Sequence, residues 1–103
     1  MTEHYQKKFK LEEMAHAGNV GQLSIDVYTD HNPPHFHVTK KDEFEVKISI
    51  KNFKIIDYKW QKNNKEISSK ELKDLIKWIH TPYHKNKKVT NLEAIQMFWD
   101  SMN

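Results

Sequence analysis

The sequence of 103 residues contains no cysteine, which excludes a disulfide framework, thiolate catalysis, thiolate zinc sites and iron–sulfur ligation. All 17 basic residues are lysine. Without the planar guanidinium fork, recognition of phosphate or carboxylate falls to lysine as a point charge and to histidine. Only two glycines and three prolines are present, so no Gly/Pro/Ser-rich linker divides the chain, and its length sets a single domain over residues 1–103. No apolar run approaches the roughly 18 residues of a membrane span, and the polar start from Met1 to Lys10 lacks a signal-peptide h-region. The expectation is a cytoplasmic protein without a membrane partner. The 14 acids bring the net charge to +3, short of the cationic footprint of a duplex-DNA binder. A 37% apolar share with 12% aromatics is enough to build one core.

Both glycines fall in Gly18-Asn19-Val20-Gly21, which marks the first boundary as a turn. Before it, Tyr5, Phe9, Leu11 and Met14 fit neither period well, so residues 1–22 read as a strand or a helix. Strict alternation follows in Leu23-Ser-Ile25-Asp-Val27 and in Phe44-Glu-Val46-Lys-Ile48-Ser-Ile50, the pattern of strands with one buried and one wet face. Phe36 and Val38 continue it, Lys40 to Glu43 reads as a hairpin loop, and a further strand is expected from Phe53 to Trp60. This predicts an antiparallel meander of four or five strands over 23–60.

Ser68-x-x-Glu71 and Thr90-x-x-Glu93 each match a capping box, predicting helices over 68–80 and 90–102. Leu72, Leu75, Ile76 and Ile79 form one apolar stripe, and Leu92, Ile95, Phe98, Trp99 and Met102 form the other. Pro82 ends the first helix, and Tyr83 to Val89 reads as a basic, exposed connection. Both stripes need cover, so the expected class is α+β, with two C-terminal helices on one face of the meander.

The segment most apt to carry chemistry is Asp30-His31-Asn32-Pro33-Pro34-His35-Phe36-His37-Val38, with three histidines in seven residues around paired prolines. The prolines restrict the loop before any ligand arrives. If Phe36 and Val38 face the core, His35 and His37 share the opposite face, roughly 6–7 Å apart along the strand. Three readings compete for the pair. Half-buried histidines bonded to backbone or carboxylates would lock the loop and predict no activity. An acid–base pair would suit metal-independent cleavage of RNA, with His31 orienting and Lys40, or a lysine of the Lys85–Lys88 loop, stabilising charge. A metal site would take His35 and His37, with Asp30 or His31 as third ligand and an open position for water. HxH alone is a weak metal signal, and no HExxH or EF-hand loop supports it. Trp60, Trp78 and Trp99 are able to stack bases, but two of them share helices with the apolar stripes, where core or interface burial is their expected role.

At Pro33-Pro34-His35-Phe36-His37-Val38 the chain resembles a bacterial family known as domain of unknown function 4160, marked by a PPHxHV-type motif after an opening strand. Val27, Tyr28, Asp30 and His31 before the prolines, the strand Phe44 to Ile50, the helix with Trp78 and the Thr90-Asn91 helix with Trp99 follow in that family's order, over about residues 20–102. The motif histidines map onto His31, His35 and His37, without an established role. Many members are encoded beside another small protein in arrangements proposed as toxin–antitoxin pairs. The resemblance thus implies a small cognate protein as partner, while the acid–base reading of the histidines makes RNA the candidate ligand of a His-dependent ribonuclease. A non-catalytic protein-binding module, docking through a strand edge or a Trp-bearing helix, is the alternative.

Overall fold

The computed structural model describes residues 14–103. Alternating apolar residues build a five-stranded antiparallel meander of β1 (Met14–Val20), β2 (Leu23–Tyr28), β3 (His35–Lys40), β4 (Phe44–Ser49) and β5 (Ile55–Gln61), paired in sequence order. Ile25 pairs with Val38, and Val38 and Phe36 pair in turn with Val46 and Ile48; these residues, with Leu23 and Val27, are buried in one core. The expected α+β meander with two C-terminal helices is present.

The first boundary is shorter than expected. β1 continues through Gly18 to Val20, and the turn is confined to Gly21 and Gln22. Gly18 sits at a register shift between His16 and Gly18, with φ +155° and an added Cβ only 2.7 Å from Trp78 Cζ2, so it serves close packing. Residues 14–20 are therefore strand, while Tyr5, Phe9 and Leu11 lie outside the described residues. β5 begins at Ile55 because Phe53 takes a positive φ of 59° in the preceding loop.

Helix α1 (Ser69–Ile79) is capped by Ser68, and α2 (Asn91–Met102) by Thr90; both capping boxes are complete. α1 buries Leu75 and Ile79, with Leu72 and Trp78 against the core, whereas Ile76 of the expected stripe remains exposed. The contact face is rotated toward Trp78 because Gly18 leaves room for the indole. Between the helices, the expected exposed connection is instead a two-stranded hairpin of β6 (Pro82–Tyr83) and β7 (Asn86–Thr90). Tyr83 is buried there, with its ring 5.9 Å from that of Phe98. Both helices lie against β1, and α2 also against β2. No helix among the described residues is long and apolar enough to cross a membrane.

Candidate functional site

Away from the apolar residues that line the core, the sheet carries a polar row. His16, Asp26, His37, Lys47 and Asp57 are successive register partners across all five strands. β3 is the central strand, and the expectation of a wet face fails there: His35 and His37 are each only 3% exposed. The Tyr28 ring stands edge-on to His37 at 4.6 Å, and the Trp99 ring lies 5.2 Å from His35. The two imidazole centroids are 5.2 Å apart.

Each ring is anchored through Nδ1. His35 Nδ1 donates to the Pro33 carbonyl at 2.7 Å, and His37 Nδ1 donates to Glu45 Oε2 at 2.8 Å. A carbonyl and a carboxylate only accept, so these bonds place a proton on both Nδ1 atoms and turn both Nε2 atoms toward one group, Asp30. His35 Nε2 is 3.0 Å from Asp30 Oδ2, while His37 Nε2 is 3.6 Å from the same oxygen, too far for a hydrogen bond. Among the described residues His37 Nε2 is the one buried side-chain polar atom without a partner.

Electrostatics fix which groups are charged. Burial of His37 holds its imidazole below the ordinary histidine range, outweighing the hydrogen bond and charge of Glu45. The ring is therefore neutral at neutral pH, and Nε2 presents a lone pair. Burial alone would raise Asp30, but the His31 backbone N–H, the His35 hydrogen bond and the Lys47 ammonium together hold it below the ordinary carboxyl range. Burial, aided by the Asp26 and Glu45 charges, pushes the Tyr28 phenol up, so it remains a hydroxyl.

Of the residues singled out from sequence, Asp30, His35 and His37 come together, with donor atoms within 4.8 Å of one another. His31 and Lys40 do not join them. His31 is exposed and contributes its backbone N–H to Asp30 Oδ1 at 2.8 Å. Lys40 lies at the far end of β3, where its ammonium bonds Glu71 at 2.9 Å and Glu43 at 3.4 Å. The Lys85–Lys88 loop belongs to the β6–β7 hairpin. Sequence reasoning missed Glu45, Lys47 and Lys59. The first two are the polar positions of the alternating strand Phe44–Ile50, a legible signal; their meeting with His37 depends on strand register, which is not.

A cleft of about 290 Å³ opens beside the cluster, lined by Tyr28, Thr29, Asp30, His37, Lys47 and Lys59. Lys47 Nζ is 3.8 Å from Asp30 Oδ2, and Lys59 Nζ stands 6.0 Å from the Tyr28 ring centroid. Fold and site together define an α+β protein with a buried two-histidine, one-carboxylate cluster under a lysine-walled cleft. The chain belongs to the family described as a domain of unknown function (DUF4160), whose model matches residues 23–88. That span is narrower than the resemblance suggests, yet it contains the whole cluster and every cleft residue. No curated protein and no solved structure matches the chain.

Proposed function

We propose that Asp30, His35 and His37 hold a divalent transition-metal ion, and that this centre serves one member of a two-component, toxin–antitoxin-like pair. The observation that carries the metal reading is the unpartnered Nε2 of buried, neutral His37, facing a carboxylate oxygen that His35 Nε2 also faces. A buried acceptor left unpaired costs about 1–3 kcal/mol, and a cation between the three donors removes that cost. The Nδ1 anchors on Pro33 and Glu45 are the outer partners that metal-ligating imidazoles take to fix ring orientation. Donors around zinc in tetrahedral geometry sit about 3.3–3.6 Å apart. The carboxylate-to-imidazole separations of 3.0 and 3.6 Å lie within a few tenths of an ångström of that range, and the three donors lie within 4.8 Å of one another, so binding would draw the set together.

Three protein ligands leave a coordination position open, and the cleft lies beside it. An ion there supplies Lewis acidity and a bound water deprotonated near neutral pH. Metal-independent ribonuclease chemistry, with His35 and His37 as acid and base, has less support. In-line displacement sets its attacking and leaving oxygens on opposite sides of phosphorus, whereas here both Nε2 atoms converge on the Asp30 carboxylate. The paired cellular role rests on the family resemblance alone. Expression of the chain with and without the product of its adjacent reading frame tests it: one product should arrest growth and the other relieve the arrest.

Chelator-treated protein without a histidine tag should take up one equivalent of Zn²⁺. His37→Ala should weaken uptake by more than about a hundredfold while circular dichroism remains unchanged. Absence of uptake, or equal affinity in the variant, overturns the metal reading. RNA cleavage that survives chelator yet requires both histidines would favour the acid–base pair instead.

A further inference from the structure

The walls of the cleft say what kind of molecule would approach the ion. If a divalent cation is bound, its charge offsets the Asp30 and Glu45 carboxylates, and the ammonium groups of Lys47 and Lys59 are left facing the cleft. Lys59 makes no ion pair with a carboxylate among the described residues. The opening is thus arranged for an anion, with Tyr28 forming part of its wall.

A second feature stands next to it. β5 shifts register against β4 between Glu45 and Val46, which pairs Trp60 with Glu45. Trp60 remains 40% exposed while its Nε1 donates to Glu45 Oε1 at 3.2 Å. The other oxygen of that carboxylate takes His37 Nδ1 at 2.8 Å. One carboxylate therefore fixes both an imidazole of the cluster and an exposed indole. The indole has its polar atom satisfied and an aromatic surface open to solvent, the form of a stacking platform.

We infer that the cleft binds a single-stranded nucleic acid, one nucleotide at a time. Its phosphate lies between Lys47, Lys59 and the open metal position, and its base stacks on Trp60. A single strand is required because duplex bases are already stacked on each other and offer no free face. The metal contact to phosphate and the release of Lys47 from Asp30 rest on the reading above, whereas the Lys59 and Trp60 contacts do not.

The test uses the full chain, with and without Zn²⁺, and a fluorescein-labelled oligoadenylate RNA of about eight nucleotides followed by anisotropy. Trp60→Ala should weaken binding about 5- to 150-fold, and Trp60→Phe should restore most of it. Lys59→Gln should lower affinity and reduce the salt slope by about 0.7. Lys47→Gln should do the same while tightening Zn²⁺, because it removes a positive charge 3.8 Å from a ligand carboxylate. A misfolded variant would weaken both. Zinc uptake without oligonucleotide binding overturns this inference and leaves the metal reading standing. Oligonucleotide binding that needs Trp60 and Lys59, in a protein that takes up no zinc, overturns the metal reading and sustains the strand site. Binding indifferent to all three substitutions, or inorganic phosphate competing as well as adenosine monophosphate, overturns the inference.

Discussion

Glu45 works through both of its oxygens, holding the His37 ring with one and the Trp60 indole with the other. Its replacement should therefore be felt in the cluster although no ligand residue is changed. Glu45→Gln keeps an acceptor for Nδ1–H but loses the charge that raises the basicity of the ring, and Zn²⁺ affinity should fall about 10- to 100-fold. Isothermal titration measures this, and unchanged affinity would show that the carboxylate's charge does not tune the ligand ring. The ion should also stabilise the fold by mass action. At about a hundred times its dissociation constant, Zn²⁺ contributes about 2.7 kcal/mol, which corresponds to a Tm rise of roughly 10–20 °C for a domain of this size. Asp30→Asn should show a smaller rise in scanning calorimetry. At this scale the sequence is informative about identity and silent about environment. The HxH spacing and the nearby Asp30 name the three cluster residues, but burial of both rings depends on Tyr28 and Trp99, which arrive from other elements.

The strands and helices were the most legible features, because alternation and capping boxes are local. The strand expected over Phe44–Ile50 runs from Phe44 to Ser49, and the caps Ser68 and Thr90 appear where the pattern puts them. The β6–β7 hairpin was hidden because Asn86-Lys87-Lys88 carries no apolar alternation, and its one buried anchor, Tyr83, is explained only by Phe98 across the fold. Gly18 was legible as a glycine but not as a packing site. Gly18→Ala should cost about 2–4 kcal/mol, combining backbone strain with overlap on Trp78. Gly21→Ala, with φ +58° and open space around it, should cost only about 1 kcal/mol. Urea denaturation of the two variants separates close packing from turn geometry. Lys40 and Glu71 join the end of β3 to the first turn of α1. For Glu71, burial raises the carboxyl, but the Ser68 backbone N–H and the Lys40 ammonium outweigh it and hold it below its ordinary 4.5. The hydrogen bond to Glu71 is the largest cause holding the Lys40 ammonium above its ordinary 10.5. The pair thus stabilises the fold between those values, losing its contribution as pH falls through the lowered Glu71 value or rises through the raised Lys40 value. Glu71→Gln should make the acid side of the stability–pH curve shallower.

Across the whole molecule, the cluster is built within the family-matched residues and braced from outside them. Asn103, the C-cap of α2, accepts the Asp30 backbone N–H on Oδ1 at 2.8 Å and donates from Nδ2 to the Tyr28 and Trp99 carbonyls, each at 3.3 Å. One turn earlier on the same helix, Trp99 packs beside His35. The end of α2 therefore positions the Asp30 backbone, the Tyr28 strand end and one imidazole together, although 73 residues separate Asn103 from Asp30. No local pattern could have revealed that brace, since a C-terminal asparagine reads as an ordinary helix cap. If the helix layer sets the carboxylate at its distance from the two Nε2 atoms, loosening it should cost metal affinity as well as stability. Asn103→Ala should lower Zn²⁺ affinity about fivefold, the equivalent of about 1 kcal/mol, with a Tm drop of a few degrees. Asp100→Asn on the same helix, whose side chain among the described residues bonds Gln96, should move neither quantity. A variant that loses stability while binding Zn²⁺ as tightly as before would show that Asp30 holds its place through the β2–β3 loop alone, without the helix.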